Sequence, residues 1–184
     1  MVRFWLLAPL VLAACVQSGG SQRFFGGEVV ITPPAGYCVK QTAQRASDGR
    51  AMALLGRCTA SGKAEAALIA LTLGEKGSGQ ALAQGSAALA RHLQSPQGRA
   101  SLARDGRAAS VRLGPMERKA GQLVFHVEDR SSGPHWRALF ALKGRLASLS
   151  VQDPSGAPLA KGQALLHATL NALQKANGGV ENGG

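Results

Sequence analysis

The chain has 184 residues, the length of one domain with tails. Apolar residues make up 45%, enough to bury a core and to exclude wholesale disorder. Lys and Arg outnumber Asp and Glu by 21 to 10, and the net charge of +11 favours anionic partners.

At the amino terminus, Arg3 precedes an apolar run from Phe4 to Ala14. The run is far shorter than the ~20 residues needed to cross a hydrocarbon core. A basic start, a short apolar stretch and small residues at its end predict a secretory signal peptide over residues 1–14. Leu12-Ala13-Ala14-Cys15 resembles the lipobox of bacterial lipoproteins. That resemblance implies cleavage before Cys15, lipidation of its sulfur and acylation of its new amino group. Three acyl chains would anchor the protein firmly to a membrane. Val16 stands where the family's inner-membrane members carry Asp, which implies the outer membrane, facing the periplasm. The residues alone also allow an ordinary signal peptide, cut after an Ala-x-Ala-like site, with Cys15 a bystander.

With Cys15 assigned to lipid, Cys38 and Cys58 remain as an even pair in an oxidising compartment, and a structural disulfide is expected between them. No Cys-x-x-Cys is present, and the first histidine is His92, so redox and zinc chemistry are disfavoured.

Residues 15–27 are rich in Gly and Ser and read as a flexible tether, with one domain over 28–177 and a disordered tail over 178–184. Short β-rich runs at 28–32, 37–42, 51–58 and 67–73 are separated by Pro33-Pro34, Ser47-Asp48-Gly49 and Ser61-Gly62-Lys63. Ser78 is placed to cap a helix with Leu82, Leu89 and Leu93 on one face, and Pro96 to open a second, ending near Asp105-Gly106. Alternation across 121–153 predicts a three-stranded meander. Placing Phe125 opposite Phe140 gives it one apolar face and sets Glu128 against Arg137 on a wet face. A helical stripe of Leu159, Leu166, Leu170 and Leu173 over 158–177 is expected to cover the apolar face. Together these predict an α+β fold: an antiparallel sheet with a C-terminal meander, packed by two or three helices.

The opening Ile31-Thr32-Pro33-Pro34-Ala35-Gly36-Tyr37, with the order of elements after it, is similar to the PsbP-like family. That implies an α/β/α sandwich and an accessory or binding role. Pro-Pro-Ala-Gly-Tyr-Cys at 33–38 is also similar to uncharacterised lipoproteins of α-proteobacteria, which implies no activity.

Catalytic patterns are missing. There is no Gly-x-Ser-x-Gly elbow and no phosphate-cradling glycine loop, and the one adjacent acid pair, Glu128-Asp129, points to opposite faces of a strand. No metal or other cofactor is expected. His126-Val127-Glu128 lacks the Pro-Cys-x-x-Cys that zinc deaminases need. Residues 91–145 carry eleven basic side chains against four acidic. Arg112, Arg118, Lys119, Arg137 and Arg145 are the candidate contact surface for an anionic envelope component or an acidic protein. Nucleic acid is disfavoured by export and by too few aromatics for base stacking. The expectation is a non-enzymatic, lipid-anchored binding or accessory module. Two alternatives are a carrier holding a small apolar ligand between Trp136, Phe140 and the C-terminal helix, and an envelope hydrolase without a recognised motif.

Overall fold

The computed structural model describes residues 20–178 except 46, 84 and 120; the expected signal peptide, Cys15 and most of the glycine-rich tail fall outside this range. The folded domain begins earlier than the composition of 15–27 predicts. Strand β1 (Gln22–Phe24) pairs with β2 (Val29–Ile31), and Phe24 is buried in the core. Two adjacent phenylalanines outweigh the flanking glycines, so the chain is part of the fold from Gln22 onward.

Strands β3 (Tyr37–Arg45), β4 (Arg50–Arg57) and β5 (Leu68–Lys76) form one half of a seven-stranded antiparallel sheet. Strands β6 (Val111–Lys119), β7 (Gln122–Asp129), β8 (Gly133–Leu142) and β9 (Arg145–Gln152) form the other. The order is β3-β4-β5-β9-β8-β7-β6, so β9 joins the two halves. The expected disulfide between Cys38 and Cys58 is formed and ties the ends of β3 and β4.

Between the halves lie α1 (Gln80–Ala83), α2 (Ser86–Gln94) and α3 (Pro96–Leu102). The single helix expected from Ser78 to Leu93 is broken at Gly85, where φ is +123°. Ser78 does not cap it; its hydroxyl donates to Glu75 O and accepts from Leu146 N, fastening α1 to the sheet. Ser95 does cap α3, accepting from Gly98 N at 3.1 Å. A Cβ on Gly98 would stand 2.0 Å from His92 O, so only glycine lets α3 fold back this closely on α2.

Strand β6 escaped sequence reading because Gly114-Pro115 sits inside it. The pairing with β7 shifts register between Leu113 and Met116, and β6 is an edge strand, where proline is tolerated.

The meander forms, but its first hairpin is displaced by three residues from the expected register. Phe125 faces Arg137, Gln122 faces Phe140, and Glu128 faces Pro134. The loop is only Arg130-Ser131-Ser132, closed between Asp129 and a left-handed Gly133 at φ +87°. An odd shift flips every side chain relative to its expected partner. Leu123, Phe125 and Val127 therefore join Leu139 in a core with α2 and α3, while Val124 joins Ala138 and Phe140 in the core under the C-terminal helix. The meander has no wet face, and the predicted Glu128–Arg137 ion pair does not form. Pairing of β8 with β9 is as expected: Trp136, Ala138 and Phe140 face Val151, Leu149 and Ala147.

Helix α4 (Gly162–Ala176) buries Leu166, Leu170 and Leu173 against that second core. Asn177 closes it. Its Oδ1 accepts from Val30 N at 2.9 Å, and its Nδ2 donates to Val30 O and Leu173 O, both at 2.7 Å. The result is an α+β domain with helices on both faces of the sheet.

Candidate functional site

Two features of the surface stand out: a cleft at one end of the sheet and a region of unpaired positive charge along its β6 edge. The cleft holds about 490 Å³ and is lined by His126, Glu128, Pro134, Trp136, Val151, Pro158 and Leu159 among others. The His126 and Trp136 rings stand 5.1 Å apart. Nearby, Asp129 accepts from Arg104 N at 2.9 Å, Ser131 N at 2.8 Å, Ser131 Oγ at 2.6 Å and Ser132 Oγ at 2.8 Å. Burial alone would raise this carboxyl, but the hydrogen bonds from Ser131, Arg104 N and Ser132 outweigh it and hold it at about 2. It stays ionised at neutral pH and organises the turn. Burial lowers the His135 pKa, with Arg137 adding to the effect, so that ring is neutral at pH 7. The Ser131 and Ser132 hydroxyls both donate to Asp129.

A carrier between the sheet and α4 was expected to line its cavity with Trp136 and Phe140. Phe140 is buried in the core with Leu149, Leu166 and Leu170, and only Trp136 of the expected pair lines the cleft.

The five basic candidates divide. Arg112, Arg118 and Lys119 are exposed on β6. Arg118 lies on the α2–α3 side, opposite buried Leu123, while Arg112 and Lys119 face the other way, opposite Glu128 and Gln122. Exposed Arg91, Arg104, Arg107 and Arg130 extend the charge over the helices and the adjoining loops. Among the described residues, all five ion pairs lie elsewhere and involve Arg45, Arg50, Lys76 or Arg145. Asp105, an acid within the basic region, accepts instead from Ser110 Oγ at 2.7 Å and Arg107 N at 2.9 Å.

Arg145 is not a contact residue; it is 5% exposed. Its guanidinium donates to Gly49 O at 2.7 Å and Gly74 O at 3.0 Å and pairs with Glu28 at 3.5 Å. It also lies 3.6 Å from the centre of the Phe25 ring. Two carbonyls, a carboxylate and an aromatic face offset the burial of this cation, although its Nε has no hydrogen-bond partner. Arg137 is half-buried, standing opposite Phe125 on the face that α2 and α3 cover. The register shift explains this: a residue assigned to a wet face turns out to point into a covered one.

His92 and His167 are exposed. No group of three or more His, Cys, Asp and Glu that could hold a metal is present among the described residues, and no described helix is long and apolar enough to cross a membrane. Comparison with protein families, curated proteins and solved structures finds no match to this chain. Sequence reading missed the Asp129 turn, although Asp-Arg-Ser-Ser-Gly at 129–133 carried the signal: an acid followed by two hydroxyls and a glycine.

Proposed function

We propose that this chain is a lipid-anchored cell-envelope protein, fixed through Cys15, whose β6 edge and α2–α3 side dock on an anionic envelope surface as a non-enzymatic binding or accessory module. The observation that carries this is the separation of charge: among the described residues the exposed cations of the basic region form no ion pair, while the ion pairs gather at the other half of the sheet. Lipid headgroups of the outer membrane are the anionic surface nearest to such an anchor. From Cys15 to Gln22 the chain spans at most about 25 Å when fully extended, so the domain would be held close to that surface.

The test uses the full-length chain expressed with its signal peptide, beside a Cys15→Ser form that separates docking from anchoring. The Cys15→Ser form is expected to bind vesicles containing phosphatidylglycerol, and not pure phosphatidylcholine, with affinity falling as salt rises. Reversing Arg112, Arg118 and Lys119 to Glu should weaken this roughly hundredfold, from about 1 kcal/mol per basic residue near the surface. Equal binding by the triple variant would refute the docking surface. Intact mass is expected to show a chain starting at Cys15 with three acyl groups; an unacylated chain retaining Met1 would refute the anchor.

A further inference from the structure

The floor of the cleft is set by strand register. His126 faces Trp136 and Glu128 faces Pro134 across the β7–β8 pairing, and Val151 of β9 stands opposite Trp136. Paired residues share a face of a sheet, and Val124, Ala138 and Phe140 place this one under α4. Helix α4 starts only at Gly162, so it leaves this end of the face uncovered. Pro158 and Leu159, in the loop before the helix, wall the opening. A Cβ on Gly162 would stand 2.8 Å from Trp136 Cδ1, so a glycine there lets the start of α4 come up against the edge of the indole.

The polar groups of the cleft differ in how far the chain itself engages them. Asp129 is taken up by Arg104 N, Ser131 and Ser132, and His135 Nδ1 lies 3.2 Å from Gly133 O. Arg130 spends one N–H on Ala109 O, which leaves the rest of its fork free. Glu128 enters no ion pair among the described residues, although Arg112 is its partner in the β6–β7 pairing. Glu128 and Arg130 are exposed, and the His126 and Trp136 rings are half-buried, so a solute can reach them. Charge then narrows what that solute is. Glu128 and ionised Asp129 line the cleft with Arg130, and Arg112 stands across the pairing, two charges of each sign. The signs balance, so no net field favours a cation or an anion. A purely apolar solute would cover the Glu128 carboxylate and return no hydrogen bond, which is costly.

We propose that the cleft binds a neutral sugar ring, with Trp136 as its platform and Glu128 and Arg130 as its hydrogen-bonding partners. A pyranose carries C–H groups on its faces and hydroxyls around its edge. The C–H face packs on the half-buried indole by dispersion. The Glu128 carboxylate, which only accepts, takes the protons of neighbouring hydroxyls, and the free N–H groups of Arg130 donate to their oxygens. A volume of about 490 Å³ lies within the ~300–1,000 Å³ of small-ligand clefts. Neither the lipid anchor nor docking through β6 is needed for this binding.

The test is saturation-transfer NMR on the full-length Cys15→Ser chain, read on the protons of glucose, galactose and N-acetylglucosamine in turn. At least one sugar should give a saturable signal with a Kd of roughly millimolar order, strongest at ring C–H protons. Cyclohexanol offers a ring without the hydroxyl set, glycerol the hydroxyls without a ring, and tetramethylammonium a cation. Each should bind at least about tenfold more weakly than the sugar. Glu128→Ala should weaken sugar binding about tenfold, through loss of hydrogen bonds to a charged acceptor, while Glu117→Ala, at an exposed acid of β6, should leave it unchanged. Trp136→Ala should abolish binding; if that chain does not fold, Glu128→Ala decides. Methyl glycosides separate the sources: retained binding assigns the end of a glycan, and its loss assigns a free sugar. No saturable signal from any of the sugars would overturn the proposal. So would cyclohexanol or tetramethylammonium binding as tightly as the sugar, or undiminished affinity in Glu128→Ala or in a folded Trp136→Ala chain.

Discussion

Replacing Asp129 by Asn tests the turn that sets the register of the β7–β8 hairpin. In the folded chain the carboxylate accepts four hydrogen bonds, two of them from backbone amides that have no other acceptor described: Arg104 N and Ser131 N. Asparagine keeps one acceptor oxygen and loses the charge. The folded carboxyl sits at about 2 against an ordinary 3.8. A gap approaching two units corresponds to at most about 2 kcal/mol of stability. Because the folded value is depressed, this contribution is complete above the unfolded value near 4 and is lost as pH falls toward 2. Urea unfolding of both proteins, monitored by tryptophan fluorescence, should show the unaltered chain more stable by about 2 kcal/mol at pH 7, with the difference shrinking steadily between pH 4 and pH 2. Other depressed acids, such as Asp105 and Asp153, are common to both proteins and largely cancel in the difference. A difference that stays flat from pH 7 to pH 2, or that is under about 0.5 kcal/mol at neutrality, would refute the assignment of Asp129 as the ionised organiser of the turn.

Substituting both Cys38 and Cys58 by Ser opens a link between positions 20 apart and should cost about 3 kcal/mol in the chain-entropy account. In calorimetry this is a fall in Tm of roughly 6–12 °C, and an unchanged Tm would show the bridge to be idle. Gly133→Ala places a Cβ 2.4 Å from Gly156 O at a φ of +87°, so a loss above about 2 kcal/mol is expected in urea unfolding. Gly144→Ala, at φ +70° with nothing within 4 Å, should cost only about 1 kcal/mol. Equal losses at the two glycines would show that the loop over Gly133 is not closely packed.

Strand positions over most of the sheet were legible from β-rich runs and alternation, as were α4 and its cap at Asn177, because each depends on a pattern within a few residues. The register of β7 and β8 was not. Leu123, Phe125 and Val127 alternate with Val124, and Trp136, Ala138 and Phe140 alternate with Leu139, so both faces of both strands carry apolar groups. Pattern alone cannot choose a register when each side is hydrophobic. The arginines show the same limit. Composition places Arg112, Arg137 and Arg145 in one basic segment, yet the fold exposes the first, half-buries the second and buries the third.

The local order of residues thus determined the class of the fold, the disulfide partners and the helix that covers the sheet, since these follow from periodicity, parity and caps. Tertiary structure decided which cations face outward, which arginine is answered from within, and which face of the meander meets which helix. Those outcomes depend on a three-residue loop closing around one buried carboxylate, and on contacts between residues far apart in the chain.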